Sequence, residues 1–217
     1  MQIVDRYSFA GAERLLREQH PTELAEIEAA IAAIDGESCR VKQTRERRRV
    51  DLLYSPIAIN YCLLQKQLYV SGWDSAMRRY RISHDFPATG HRRRIPLSMD
   101  GIKNRVGLES QLAKYAFLEY DVLAKMPIYH GLGLIDAGIE IVQAYRLRSL
   151  MSSGVGDFER LVTNLTHRGQ KEGDFPVLVL GIDVDPPGTH RDPTVAYHGD
   201  IPPNLRGNRP GPGAAEI

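Results

Sequence analysis

The residues with the clearest capacity for chemistry lie in one short stretch, Asp100-Gly101-Ile102-Lys103-Asn104-Arg105-Val106-Gly107-Leu108-Glu109-Ser110-Gln111. From Val106 onward the residues alternate as a strand does, with Val106 and Leu108 on one face and Gly107, Glu109 and Gln111 on the other. Glu109 and Gln111 therefore point the same way. A turn around Gly101 to Asn104 would fold the chain back and bring Asp100 to the mouth of the strand, so that two carboxylates and an amide share one small volume. An oxygen-rich seat of that kind suits a hard cation such as Mg2+. The chemistry to expect is hydrolysis of a phosphate diester, because a metal ion can activate water, polarise phosphoryl oxygens and neutralise the departing alkoxide. Acids at this spacing also occur as solvated charges at strand ends, and the pattern alone leaves both readings open.

The elements that must hold these residues are legible in outline. Gln2 to Val4 reads as a short strand or an apolar lead-in, and Ala10 to Gln19 as a helix stopped by His20-Pro21. Pro21 suits the first turn of a second helix, in which Leu24, Ile27, Ile31 and Ile34 recur at helical spacing before Asp35-Gly36. Ser55-Pro56 starts a third helix, the serine capping and the proline in the first turn, and Gly72-Trp73 closes it. Arg78-Arg79-Tyr80-Arg81 and His91-Arg92-Arg93-Arg94 flank an expected loop containing Pro87, Thr89 and Gly90. Beyond the acidic strand, Ala113, Ala116, Phe117, Tyr120 and Ala124 mark a helix that Pro127 is expected to stop. Ile135 to Val142 and Val177 to Val184 read as buried strands, and Asp157 to His167 as a helix. The glycines of GLGLIDAG lack the strand–GxGxxG–helix order of a dinucleotide loop.

Composition narrows the classes. A chain of 217 residues that is 42% hydrophobic can bury one full core. The net charge of only +1 gives no bulk argument for a nucleic-acid partner, so any such contact must come from local basic clusters. Cys39 and Cys62 make neither a disulfide framework nor a zinc site, and a reducing compartment fits them. No apolar run approaches the roughly 20 residues of a spanning helix, and no signal pattern opens the chain. A cytoplasmic protein with no membrane partner is the expectation.

Met99 to Met126, with Asp100, Glu109-Ser110-Gln111, Lys114-Tyr115, Phe117 and Tyr120-Asp121, resembles the active-site block of the BglII and BstYI type II restriction endonucleases, within the broader PD-(D/E)xK nuclease fold. MQIVDRYS at the N-terminus, IDGESCRVK from Ile34 to Lys42, LYSPIAIN from Leu53 to Asn60, Gly72-Trp73, MSSG from Met151 to Gly154 and VLVLGI from Val177 to Ile182 look closest to the BstYI branch. The resemblance covers most of the chain up to about Asp185 and implies an α/β fold, a central mixed β-sheet flanked by helices. The domain reading is a catalytic and DNA-binding domain over residues 1–185, followed by a Pro/Gly-rich tail over 186–217, expected to be extended or disordered.

The resemblance further implies that Asp100 and Glu109 hold Mg2+ with the backbone carbonyl of Ser110, and that Gln111 sits where most of the wider fold has lysine. An amide cannot act as a base at neutral pH, so Gln111 can only orient water by hydrogen bonds. Two subunits would join through helices near the active-site block, each cutting one strand of double-stranded DNA at a GATC-centred, RGATCY-like palindrome and leaving 5′ overhangs. Lys114, a potential donor to guanine, and Ser153 with Ser152 in a loop facing the major groove are the candidate base contacts. Arg40 and Lys42, with the run Arg45 to Arg49, are candidates for phosphate contact or for a solvated loop. Glu37 is a possible accessory residue near DNA. Restriction activity implies a cognate methyltransferase in the host. The rival readings are a modification-dependent or repair nuclease of the same fold, a non-catalytic DNA-binding module, and a transferase that uses Asp183-Val184-Asp185 as a metal pair.

Overall fold

The computed structural model describes residues 1–43, 52–184, 201–202 and 205. The basic run Arg45 to Arg49 and nearly all of the Pro/Gly-rich tail lie outside the described residues. Along the chain the elements are β1 (Gln2–Phe9), α1 (Ala12–Gln19), α2 (Pro21–Ala32), β2 (Arg40–Lys42), β3 (Leu53–Tyr54), α3 (Pro56–Asn60), β4 (Arg79–Phe86), β5 (His91–Ser98), β6 (Gly101–Lys103), β7 (Val106–Ser110), α4 (Leu118–Tyr120), α5 (Met126–Gly131), β8 (Ala137–Gln143), α6 (Tyr145–Ser149), α7 (Phe158–Arg168) and β9 (Val177–Asp183).

The main sheet has the order β1-β9-β8-β7-β6. Its three middle strands are parallel, and β1 and β6 close the two edges antiparallel. Strands buried on both faces must carry apolar residues on both, which is why Val177 to Ile182 is a near-continuous apolar run. Leu178, Leu180 and Ile182 face a core built with Leu16, Ile27, Ile31, Leu63 and Trp73. Val177 and Val179 face a second core with Phe9, Met126, Tyr129, Leu161 and Leu165. The central sheet is thus mixed and covered by helices on both faces, as expected.

Local signals explain the helix starts. The Ser55 side chain accepts the Ala58 amide at the head of α3, and Asp157 accepts the Arg160 amide at the head of α7. Pro21 lies in the first turn of α2. α3 runs on through a π-helical stretch, Tyr61–Leu68, and a short 3-10 turn to Gly72, which ends it in the left-handed region.

Three expectations are corrected. The strand at Gln2 to Val4 extends to Phe9, paired along its length with β9. Pro127 does not stop a helix: residues 115–131 form one helical rod in which bonding is π-like over Asp121–Lys125 and α-like from Met126. Pro127 falls in the first turn after that change of register, where its missing N–H leaves no α-helical bond broken. The basic patches flank the expected loop, but it is confined to Pro87 through Gly90, and the residues on either side pair as an antiparallel ribbon, β4 with β5. Beyond residue 185, Ile201 is buried in the first core, so that part of the segment contributes to packing.

Candidate active site

One turn and one register bring the site together. The β6–β7 hairpin is closed by Asn104 and Arg105, both at positive φ, as a tight two-residue turn requires. Arg105 is held there by Asp136, which takes its guanidinium in a two-point ion pair. The hairpin sets Gly101 opposite Leu108. Asp100 therefore follows opposite Glu109, and its Oδ2 accepts the Ser110 amide at 2.9 Å. On the other side of β7, parallel pairing sets Glu140 of β8 beside Glu109.

Paired residues of neighbouring strands share a face, so Glu109 and Glu140 both face the rod of residues 115–131. The rod approaches closely because Gly138 lies on that face, while a Cβ at Gly107 on the same face would meet Met99 and Ile135. A Cβ at Gly138 would stand 2.3 Å from the Met126 sulfur. From the rod, Lys125 Nζ reaches Glu109 Oε1 at 2.9 Å and Asp121 Oδ1 at 2.5 Å. These are charge contacts, and neither oxygen receives a well-directed hydrogen bond among the described residues. Gln111, just past the strand end, donates its side-chain Nε2 to Asp121 Oδ2 at 3.0 Å. On the opposite face of β7 the Ser110 hydroxyl donates to Asn60 Oδ1 at 2.7 Å, while Asn60 Nδ2 donates to the Ser110 carbonyl at 3.2 Å.

Four carboxyl groups, Asp100, Glu109, Asp121 and Glu140, thus gather around one ammonium. Glu109 is 4% exposed, and Asp121 and Glu140 are 0% exposed. Burial, reinforced by the Asp100 charge, pushes the Glu109 carboxyl well above the ordinary carboxylate range. Burial does the same to Glu140, aided by Asp121 and Glu109, and neither Glu140 oxygen has a hydrogen-bond partner among the described residues. Asp100 is raised by burial against the opposing pull of the Ser110 amide. Burial alone would lower Lys125, but Glu109 and Asp121 outweigh it and hold the ammonium charged.

The donor set is all oxygen and starved of positive charge, which fits a hard divalent cation. Among the described residues no three acid, histidine or cysteine side chains form a ready-made chelating group. A cation held by Asp100, Glu109 and the Ser110 carbonyl would complete its shell from solvent or substrate, the mode Mg2+ prefers. The site opens into a cleft of about 440 Å³ lined by Asn60, Asp100, Glu109, Gln111, Lys114 and Lys125, among others.

Lys114 lines this cleft with its ammonium 5.4 Å from the centre of the Phe117 ring. Ser152 and Ser153 do not line it, nor do they cap α7, whose cap is Asp157. Their loop nonetheless abuts the start of the rod: a Cβ at Gly156 would lie 3.1 Å from Tyr115 Cα. Ser153 is exposed, while the Ser152 hydroxyl is buried without a hydrogen-bond partner among the described residues. Arg40 is turned inward, 3.7 Å from Glu37 and stacked 6.0 Å from the Tyr54 ring centre. Lys42 is half-buried on β2. Neither reaches the cleft lining. Glu37 also accepts the Tyr54 hydroxyl, which ties it to local structure. Asp183 pairs with Arg146 at 2.6 Å and accepts the Val184 amide, a structural use of the first acid in Asp183-Val184-Asp185, whose last residue lies outside the described residues.

Sequence reasoning missed Asn60, Asp121, Lys125 and Glu140 as parts of the site. Glu140 had a signal: a lone acid inside the apolar run Ile139-Glu140-Ile141-Val142. Asp121 and Lys125 read as an ordinary acid–base pair four apart on a helix, and nothing in their spacing separates an exposed pair from a buried one.

With the geometry described, comparison with known proteins gives a consistent result. The crystal structure of restriction endonuclease BglII complexed with a DNA 16-mer superposes with a TM-score of 0.67 at 19% identity, covering 85% of this chain and 79% of that one. The crystal structure of free BglII gives a TM-score of 0.56 at 17% identity, covering 85% of this chain and 81% of that one. Identities this low establish the shared fold. No curated protein matches the chain. The family profile described as restriction endonuclease BglII/BglIII matches residues 4–182, and the chain belongs to that family.

Proposed function

We propose that this protein is a type II site-specific endodeoxyribonuclease that hydrolyses double-stranded DNA with Mg2+ held by Asp100, Glu109 and the Ser110 carbonyl. The observation that carries this reading is the pairing of Asp100 with Glu109 across the β6–β7 hairpin, at the floor of an open cleft. A divalent cation bound there supplies charge neutralisation on the phosphate and lowers the pKa of water. Gln111 anchors its NH2 on Asp121, which as a carboxylate can only accept, and so presents its amide oxygen as an acceptor that can orient a water molecule. Asn60 accepts the Ser110 hydroxyl and donates to its carbonyl, which fixes that carbonyl in one orientation.

The finer reading follows the BstYI branch. A homodimer recognises a GATC-centred palindrome with a purine–pyrimidine outer pair and leaves 5′ overhangs, with Lys114 and Ser153 as base contacts and Ser152 buttressing their loop. The contact of that loop with the start of the rod supports their acting at neighbouring bases. Arg40, half-buried against Glu37 and Tyr54, is held by local structure, and Lys42 on the same strand is the better candidate for a phosphate contact. The protein works in the cytoplasm beside a methyltransferase that protects host DNA.

Digestion of a sequenced plasmid with Mg2+ or with chelator, on unmethylated and adenine-methylated DNA, followed by sequencing of the ends, tests the proposal. Discrete Mg2+-dependent cuts within GATC-centred palindromes are expected. Discrete cuts at another palindrome would discard the specificity, and no cutting by folded protein would discard the nuclease reading.

A further inference from the structure

The β4–β5 ribbon meets the site only at its root, where Pro96, Leu97 and Ser98 line the cleft, and among the described residues it is the most exposed regular structure. All of its residues from Ser83 through Pro96 are exposed, and its strands pair only with each other. A two-stranded ribbon open on both faces is marginal in water without something to lie against.

Its register sorts the side chains. Tyr80, Ile82, His84 and Phe86 stand opposite Leu97, Ile95, Arg93 and His91, and therefore share one face with them. The root of that face, Leu97 and Ile82, packs into the second core. Arg79, Arg81, Ser83 and Asp85 stand opposite Ser98, Pro96, Arg94 and Arg92 on the other face. Four arginines therefore share a face with a single acid. Among the described residues Arg79, Arg81 and Arg94 form no ion pair, and Arg92 meets Asp85 only at 3.6 Å with both side chains well exposed. The same face ends in Pro96 and Ser98, which line the active-site cleft. Met99 and Asp100 follow directly, and the Tyr129 hydroxyl and the Met99 amide both bond to the Arg78 carbonyl, fixing the ribbon's root to the site.

We propose that the arginine face of this ribbon is a second, sequence-independent DNA surface that runs from the cleft along the phosphate backbone flanking the recognition site. The inference rests on the nuclease reading above and deepens it by assigning where the duplex continues. Eight residues per strand at about 3.4 Å each give a ribbon about 27 Å long, matching about eight base pairs of duplex. The unpaired guanidinium groups meet a polyanion there, and each phosphate neutralised releases condensed counterions.

The test measures binding in chelator, by fluorescence anisotropy, to two duplexes with the same central site: one of about 12 base pairs and one of about 30. The protein carrying Arg81→Ala, Arg92→Ala and Arg94→Ala is compared with wild type. Wild type is expected to bind the long duplex more tightly, and the variant to lose at least about tenfold on the long duplex at low salt but little on the short one. Its log–log salt slope on the long duplex should be shallower by about two to three, near 0.9 per lost phosphate contact. A variant with wild-type affinity and slope on the long duplex overturns the proposal. So does an equal loss on both duplexes, which would put the arginines inside the site, or a shift from dimer to monomer in sedimentation, which would make the ribbon an interface between copies. If wild type neither binds nor, with Mg2+, cuts either duplex, the nuclease reading itself has failed.

Discussion

Replacing Glu109 with glutamine should disarm the protein and stabilise it at once. The carboxyl is 4% exposed, has Asp100 across the hairpin and Glu140 in the next strand, and shares its one cation with Asp121. Its pKa lies well above the usual value, so the ionised form is disfavoured by the fold even with Lys125 beside it. For an acid raised in the folded state, the folded protein binds the extra proton, and the stability it gains is fully present below the unfolded pKa of about 4.3 and is lost as pH rises through the folded pKa. At pH 8, well above the unfolded pKa, the wild type has lost stability that a side chain unable to ionise keeps, a difference of about 1–3 kcal/mol. For a chain of this size each kcal/mol moves the melting temperature by about 2–4 °C, so a rise on the order of 5 °C is expected in chelator at pH 8. The rise should shrink toward zero near pH 4, where Glu109 is protonated in both states. Mg2+-dependent cleavage by the same variant should fall more than about 100-fold, the least expected when a group that stabilises developing charge is removed. Calorimetry across pH with a plasmid-cutting assay reads both effects. A variant that melts lower than wild type at pH 8, or gains as much at pH 4 as at pH 8, would show that Glu109 is not strained by its neighbours. One that cuts DNA at near wild-type rate would remove it from the metal site.

The other expectations concern the cation, the packing and the base contacts. Lys125→Met leaves Asp121 and Glu109 buried without a counter-ion and should cost about 3–5 kcal/mol in urea denaturation; a loss below about 1 kcal/mol would mean the pair contributes little. Gly138→Ala drives a methyl group against the Met126 sulfur and should lower stability by about 1–3 kcal/mol, with partial recovery in Gly138→Ala/Met126→Ala; an unchanged melting temperature in the single variant would refute the close approach of rod to sheet. Lys114→Ala and Ser153→Ala should each relax base preference at one position of the cut site, by about 1–3 kcal/mol per lost contact, while preserving Mg2+-dependent cutting; end sequencing that returns the wild-type site would exclude them as base contacts.

What could be read from the sequence depended on how local each feature is. The β7 alternation, the Ser55 cap and the Pro21 start are written within a few residues, and all appear where expected. Asp100 and Glu109 meet because the turn between them is only Asn104-Arg105, a short-range event. The ribbon escaped because strand patterning rests on one buried face, and β4 and β5 have almost none: outside Ile82 and Leu97 every position is exposed. Pro127 misled because its helix-breaking effect assumes uninterrupted α-helical bonding, and the π-like turn before it removes that premise. Glu140 could not be placed because its partner is set by the parallel register of β7 and β8, a contact between strands separated by the whole rod.

That register also resolves the departure at Gln111. Where the wider fold carries a strand lysine two residues after the acid, this chain has an amide, and β7 by itself would leave Glu109 facing Asp100 and Glu140 with no positive charge near it. The rod supplies one. Gly138 lets it approach the strands closely enough for Lys125 to reach Glu109, and Asp121, four residues earlier, holds both the ammonium and the Gln111 amide. The charge balance of the site is therefore set by a residue 16 positions downstream of Glu109, and a glutamine two residues after that acid still leaves a positive charge at its carboxylate. Gln111 and Lys125 therefore act as one unit, the amide and the ammonium both lining the cleft and both held by the same buried aspartate.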